Sequence, residues 1–562
     1  MAKAKRPSSE DENPALDSVT VLNPVVGFGA EDVLRAGRDL LTRALTQPAA
    51  VMEQSARLWQ EWIRITLGQA DLAPDPKDRR FSDPAWEENP LYRRAAQRWL
   101  AWRRSLEGWV EKTDLDELDR QRARFLVDLL ADAVAPTNFL LGNPSALRRA
   151  RETGGRSLVQ GFRNYLDDLV KNQGMPAQVD KSQFKVGGNM ASTPGAVVFR
   201  NELVELIQYR PTTEAVQERP CFIVPPQINK YYIYDMSPAK SFVAHAVAQG
   251  LQVFIVSWRN PKPEHRRWGL DDYVEAIEEA IDATLEITGE DTVNGVGACA
   301  GGITFAAALG YLAAVKKEKV SSITLMVNVL VNDPGDSVMG LFANDATIEA
   351  ARLRSARAGI LDGKSTARVF NWMRPNDLIW NYVVNNYLHG EKPPVFDILY
   401  WNNDTTNLPA KLHSDFLDIF KNNPFRERGK LVVRGEPIDL KQVTCDAYIT
   451  GGTTDHITPW QACYRSTQLF GGPVTYVLST AGHIQSIVNP PEGGKRKYFL
   501  NPELPADSDL WVAGASQHDG SWWVHWYDWV KARSGETKPT PQQLGSEQHS
   551  PLCDAPGTYV HE

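Results

Sequence analysis

Apolar residues recur with a helical period through the first third of the chain and with a strand-like period afterwards, the change falling near residue 186. Five stretches carry the helical period, at about 30–46, 49–68, 91–112, 116–134 and 145–172, and predict an all-helical N-terminal domain over 23–185. In the third stretch Trp99, Trp102, Leu106 and Trp109 recur at steps of three, four and three, which lines one helix face with aromatic side chains. Such a face belongs to a core or domain interface, or, on a sharper reading, to a surface that meets another subunit or a hydrophobic polymer. Residues 1–22, with Lys3, Lys5, Arg6, Ser8, Ser9 and several acids, read as a disordered tail.

From residue 186 to 562 the pattern is that of a mainly parallel sheet. Short β-rich runs at Cys221–Val224 and Gln252–Ser257 alternate with helical stretches at Ser237–Ala248 and Leu270–Ile287. Ser237 followed by Pro238 predicts an N-cap and a first-turn proline. The strand Ile323–Leu330 is separated from the next, at Cys445–Thr450, by more than a hundred residues. That excess is too long for a plain connection and predicts an inserted cap at about 331–440, rich in Trp, Tyr, Asn and Pro.

One pentapeptide carries chemistry. Gly297-Ala298-Cys299-Ala300-Gly301 is Gly-x-nucleophile-x-Gly, the nucleophile-elbow pattern of α/β-hydrolases with cysteine in place of serine. A strand must turn sharply into a helix there, so bulky flanking residues would collide. Asp291–Val296 reads as the strand and Ile303–Val315 as the helix. The bland alternative is a small core cysteine in a glycine-rich turn. In this fold an acid and then a histidine follow the nucleophile, at the carboxyl ends of later strands. Asp455 follows the strand Cys445–Thr450, and His483 follows the strand Pro473–Leu478. His456 competes as base, but adjacent residues do not easily face one reacting atom, so it reads as a structural histidine capping the helix near Pro459.

Three longer segments surround these residues: Gly297-Ala298-Cys299-Ala300-Gly301-Gly302, Asp455-His456-Ile457-Thr458-Pro459-Trp460 and Gly482-His483-Ile484-Gln485-Ser486-Ile487-Val488-Asn489-Pro490-Pro491. They resemble the catalytic motifs of polyhydroxyalkanoate synthases. Val224–Tyr232, Ser257–Pro261, Arg374–Tyr382 and Trp401–Pro409 resemble the same family, as do Asp78–Trp86 and Pro136–Pro144 near the N-terminus, so the likeness covers nearly the whole chain. Gln227, the stretch Trp372–Asn386 and the undivided length look most like class II members, which use medium-chain substrates, while class I members of similar length use short-chain ones, so both substrate lengths stay open.

The resemblance implies an α/β-hydrolase fold with an inserted cap, preceded by the helical domain. It implies a cytoplasmic, granule-associated acyltransferase that joins (R)-3-hydroxyacyl groups into polyester and releases CoA. CoA is then substrate carrier and product, and no other cofactor or metal is expected. It also implies a homodimer. A cysteine suits this chemistry because attack on an acyl-CoA thioester makes another thioester and keeps the acyl group activated. His483, oriented by Asp455, would form the Cys299 thiolate and later deprotonate the attacking hydroxyl. The oxyanion donors would be the backbone N–H of Ala300 and one near Gln227 and Ile228. Arg374 and Trp401, in the cap, are placed beside the substrate and CoA path. The main rival is a Cys-dependent hydrolase of thioesterase or dienelactone-hydrolase type, in which water takes the second step.

Composition fits without deciding. The chain has 562 residues, 42% of them hydrophobic, enough for more than one core. A net charge of −8 argues against nucleic acid as the main partner. The five cysteines, Cys221, Cys299, Cys445, Cys463 and Cys553, lack CxxC spacing and indicate neither a disulfide framework nor a zinc site. No apolar run approaches the length of a transmembrane helix, and Met1–Asn23 lacks a signal-peptide core.

Overall fold

A computed structural model describes residues 46–562 together with 37, 38, 42 and 43. The expected tail at 1–22 and most of the expected helix at 30–46 lie outside the described residues. The chain separates into two compact units. One runs up to Arg148 and takes in Phe342–Ala351 and Arg368–Asn381, and the other holds Arg149–Leu341, Arg352–Ala367 and Tyr382–Glu562.

The first unit is built on helices α1 (Pro48–Thr66), α2 (Pro90–Lys112) and α3 (Glu117–Ala133). Local chemistry sets their starts. Asn89 accepts from the Leu91 N–H ahead of Pro90, and Asp116 accepts from the Asp119 N–H at 2.8 Å. The aromatic stripe of α2 turns inward. Trp99 is buried among Phe81, Trp86 and Ala131, and its Nε1–H donates to Ala131 O at 2.9 Å, tying α2 to α3. Leu106 and Trp109 pack against Val110, Leu115 and Val127. This stripe therefore packs into the helical unit, where its side chains find apolar neighbours and the Trp99 indole a backbone acceptor.

The expected helix at 145–172 is two helices, Pro144–Glu152 and α4 (Arg156–Lys171). Gly154 and Gly155 separate them with φ of +58° and +83°, in the left-handed region. α4 packs on 383–388 of the second unit: Asn164 Nδ2 donates to Asn386 O at 2.9 Å and Tyr387 Oη to Asp168 Oδ2 at 2.9 Å. That docking is why compactness draws the boundary at Arg148, ahead of the expected 185.

The second unit is organised by an 11-stranded sheet. In chain order its strands are β1 (Gly195–Arg200), β2 (Val204–Tyr209), β3 (Cys221–Val224), β4 (Val253–Trp258), β5 (Val293–Ala298) and β6 (Val320–Met326), followed by β7 (Asp446–Gly452), β8 (Val474–Ser479), β9 (Lys497–Leu500), β10 (Ser516–Asp519) and β11 (Cys553–Asp554). The spatial order is β10-β9-β8-β7-β6-β5-β3-β4-β2-β1-β11. The six strands from β8 to β4 are parallel, and the strands outside them pair antiparallel. These central strands are buried on both faces, which is why they read as continuous apolar runs.

Helix α5 (Phe242–Ala248) is capped by Ser241, whose Oγ accepts from the Ala244 N–H at 2.9 Å. The expected cap, Ser237, instead precedes a separate short turn at Pro238–Lys240, because the chain bends once more before the helix. Helices α6 (Leu270–Thr288) and α7 (Cys299–Ala314) follow. Further on come α8 (Trp460–Arg465), α9 (His483–Ile487) and α10 (Trp522–Lys531). On one sheet face Ile223, Ile255, Val296 and Tyr448 meet Phe242 of α5 and Trp522, Trp523 and Trp526 of α10. The stretch between β6 and β7 is the long segment read from sequence as an inserted cap, and Phe342–Ala351 and Arg368–Asn381 within it count with the helical unit.

Candidate active site

Three loops at the carboxyl edge of the parallel strands hold the sequence candidates. Cys299 follows β5 directly, Asp455 lies three residues beyond β7, and His483 opens α9 beyond β8. Parallel strands all end on the same edge, so the loops that follow them gather on one side of the sheet.

The elbow is sharper than the sequence pattern suggested. α7 begins at Cys299 itself, not at Ile303, and Cys299 sits at φ +48° while Ala298 before it is extended. Its thiol stands at the tip of the turn and is partly exposed. Gly301 is required by close approach: a Cβ there would lie 2.3 Å from Pro225 O and 2.6 Å from Val224 O. The first turn of α7 therefore rests on the loop after β3, where a larger residue would force the two apart.

The acid and base loops are stitched together before their side chains meet. Thr453 N–H donates to Ser479 O at 2.8 Å and Thr454 N–H to Ala481 O at 3.2 Å. A Cβ on Gly452 would lie 2.5 Å from Ala481 O, so glycine permits this contact. Asp455 has a fully buried side chain and accepts four hydrogen bonds. The donors are Ile457 N–H and Thr458 N–H at 2.9 Å each, Thr458 Oγ1–H at 2.7 Å and His483 Nδ1–H at 2.7 Å. Burial opposes the charge, but His483 and these donors outweigh it and hold the Asp455 carboxyl below its usual range.

His483 is buried, which by itself would lower its pKa. The adjacent Asp455 charge, the hydrogen bond to it and a further hydrogen bond with the Cys299 side chain outweigh burial and push it up to about 10. Nδ1 is engaged by Asp455, which leaves Nε2 to face Cys299. The other thiols are chemically quiet. Burial pushes Cys221 up to about 12 and Cys445 up to about 11, and it raises Cys463 as well.

His456 does not cap the next helix. α8 starts after Pro459 with no side-chain cap, and Asp455 itself ties the turn through Ile457 and Thr458. The loop after β3 is fixed at both ends by indoles: Trp258 Nε1–H donates to Pro225 O at 2.8 Å, and Trp401 Nε1–H donates to Lys230 O at 2.7 Å. Trp401 is buried in the core, so it supports this loop from behind. Ile228 O accepts from Thr406 N–H at 3.0 Å, and Gln227 Nε2–H donates to Thr304 Oγ1 of α7 at 3.0 Å. Arg374 belongs to the other compact unit, half exposed and ion-paired with Asp377.

Two residues of this site were not singled out from sequence. Thr458 was visible as the third residue after Asp455, the spacing at which a side chain returns to a turn-initiating aspartate. Asn328 was visible as an amide inside the apolar run Ile323–Leu330; its Nδ2–H donates to Cys299 O at 2.8 Å.

Comparison with known proteins agrees with this architecture. The model of the poly-beta-hydroxybutyrate polymerase N-terminus matches residues 77–246, and that of the alpha/beta hydrolase fold matches 226–490. The chain is 49% identical over 99% of both chains to poly(3-hydroxyalkanoate) polymerase 1 of Ectopseudomonas oleovorans. It is 50% identical over 97% of both chains to polymerase 2 of that organism. To the poly(3-hydroxyalkanoate) polymerase subunit of Cupriavidus necator it is 40% identical, over 93% of this chain and 90% of that one.

Proposed function

The chain belongs to the poly(3-hydroxyalkanoate) polymerase family, and from that membership we propose that Cys299 carries the growing acyl chain, with His483 as base and Asp455 as its orienting acid. The protein polymerises 3-hydroxyacyl-CoA thioesters into polyester. The observation that carries the residue assignment is His483 hydrogen-bonded to buried Asp455, with Cys299 at the strand-to-helix turn close enough to raise the His483 pKa.

The chemistry follows from that arrangement. The Cys299 thiol passes its proton to His483, and the imidazolium, held by Asp455, stabilises the thiolate. The sulfur attacks the acyl-CoA carbonyl. The oxyanion is met by the Ala300 N–H at the start of α7, with the loop at Gln227 and Ile228 supplying the second donor. CoA leaves with a proton from His483. The hydroxyl of another 3-hydroxyacyl unit then gives its proton to His483 and attacks the acyl-cysteine, forming an ester and freeing the thiol. CoA enters only as the carrier of the acyl group, and no other cofactor takes part.

Attachment to the polyester granule and homodimerisation belong to the same reading. Among the described residues no helix is long and apolar enough to cross a membrane. Val159, Phe162 and Val170 of α4 stand 56%, 61% and 84% exposed, an apolar face suited to a polyester surface. The buried Trp99 stripe does not serve this purpose.

The test is incubation of the purified protein with 3-hydroxybutyryl-CoA and with 3-hydroxyoctanoyl-CoA, followed by product analysis and mapping of the acyl label. Polymer, with label on Cys299, is expected. Free acid as the main product would favour the hydrolase reading, and label on another cysteine would overturn the assignment.

A further inference from the structure

The peptide unit between Cys299 and Ala300 has two ends with different tasks. Its N–H, on Ala300, is the proposed oxyanion donor. Its C=O, on Cys299, points the opposite way because the unit is planar and trans. That carbonyl accepts from Asn328 Nδ2–H at 2.8 Å. Whatever fixes the oxygen also fixes the direction of the N–H.

Three features single out Asn328. It is completely buried at the carboxyl end of β6. Its Oδ1 has no hydrogen-bond partner, so the residue carries a buried, unsatisfied acceptor that an apolar side chain of equal volume would avoid. Its position is also held under strain: Val327, a β-branched residue, takes φ +44° while its N–H donates to Thr450 O at 2.9 Å. The side chain is packed against the elbow, since a Cβ on Gly302 would lie 2.7 Å from Asn328 Nδ2. A strained backbone thus delivers an amide whose donating half meets the nucleophile's own carbonyl.

We propose that Asn328 is a positioning residue for the oxyanion donor: its amide holds the Cys299–Ala300 peptide so that the Ala300 N–H faces the reacting carbonyl, and polarises that N–H through the peptide bond. The proposal rests on the assignment of Cys299 and Ala300 above. It concerns acyl transfer alone, because displacement of iodide from iodoacetamide by the same thiolate develops no oxyanion.

The test compares these two reactions in wild type, Asn328→Ala and Asn328→Leu, the leucine variant keeping the branched shape and filling the site if the alanine variant folds poorly. Alkylation of wild type must block turnover and label Cys299. If it labels Cys299 and turnover survives, the assignment of Cys299 fails, independently of Asn328. Acylation of Cys299 by labelled 3-hydroxyacyl-CoA is expected to slow about tenfold in both variants. This is less than the roughly 10²–10³ that follows outright loss of an oxyanion donor, since the N–H remains and only its aim and polarity suffer. Iodoacetamide alkylation is expected to keep its wild-type rate and pH profile. Unchanged acylation in a variant that folds as judged by circular dichroism would overturn the proposal. So would a parallel fall in both reactions, or a shifted alkylation profile, which would mean that Asn328 acts on the thiol or on the elbow as a whole.

Discussion

Replacing Asp455 by asparagine removes one charge from a buried, hydrogen-bonded site while keeping its shape. In the native protein the carboxylate lies 2.7 Å from His483 Nδ1. With charge centres about 4 Å apart and an effective dielectric constant near 20, the attraction is about 4 kcal/mol. That corresponds to about three powers of ten in the protonation equilibrium, in line with the rise of His483 from 6.5 to about 10 against the opposing effect of burial. Without that charge burial is opposed only by the Cys299 side chain, so His483 falls well below about 10 and holds its proton opposite the thiolate far less firmly. CoA release, followed with a thiol reagent, is expected to fall about a thousandfold. Stability gives an independent reading. A histidine whose folded pKa is raised stabilises the fold fully below pH 6.5 and loses that contribution as pH climbs to about 10. Asp455→Asn is therefore expected to lower Tm by roughly 3 °C near pH 6.5, with the gap narrowing towards pH 10. Turnover within tenfold of wild type, or a Tm gap that is constant or widens over that range, would refute the ion-pair reasoning.

Cys299→Ala is expected to abolish CoA release, and Cys299→Ser to leave a trace, because a hydroxyl is harder to ionise and its oxoester is less activated; single-turnover acylation measures both. His483→Gln should cost orders of magnitude in kcat, whereas His456→Gln should cost far less, since Asp455 bonds His483 and ties its own turn through Ile457 and Thr458; the reverse ranking would exchange the two histidines. Gly301→Ala places a Cβ 2.3 Å from Pro225 O, so turnover should vanish and Tm fall, both read on the purified variant. Trp401→Phe keeps a ring in the core but removes the bond to Lys230 O; a loss of about 1 kcal/mol with a lowered kcat is expected by thermal melts and steady-state kinetics, and unchanged values would remove Trp401 from the support of the site.

The local code of this chain was legible in its sequence because it is written in contiguous residues. The change of period near 186, the strand-to-helix turn at Cys299 and the placing of Asp455 and His483 after later strands all depend on near neighbours and strand ends. Where neighbours did not suffice, tertiary contacts decided. Ser241, not Ser237, caps α5 because the chain bends once more before the helix. The Trp99 stripe reads as core or domain interface ahead of a docking surface, and Ala131, which accepts from its indole, is the contact only packing supplies. Its motif alone places Trp401 beside the substrate path; that its indole binds the carbonyl of Lys230, 171 residues away in sequence, only the packed structure shows. Asn328 shows the limit most sharply. An amide in an apolar run announces that something polar waits opposite, but that its partner is the Cys299 carbonyl, 29 residues earlier, is fixed only when β5 and β6 lie side by side. Short-range patterns choose elements and nominate residues; which groups share a hydrogen bond across strands is decided by packing.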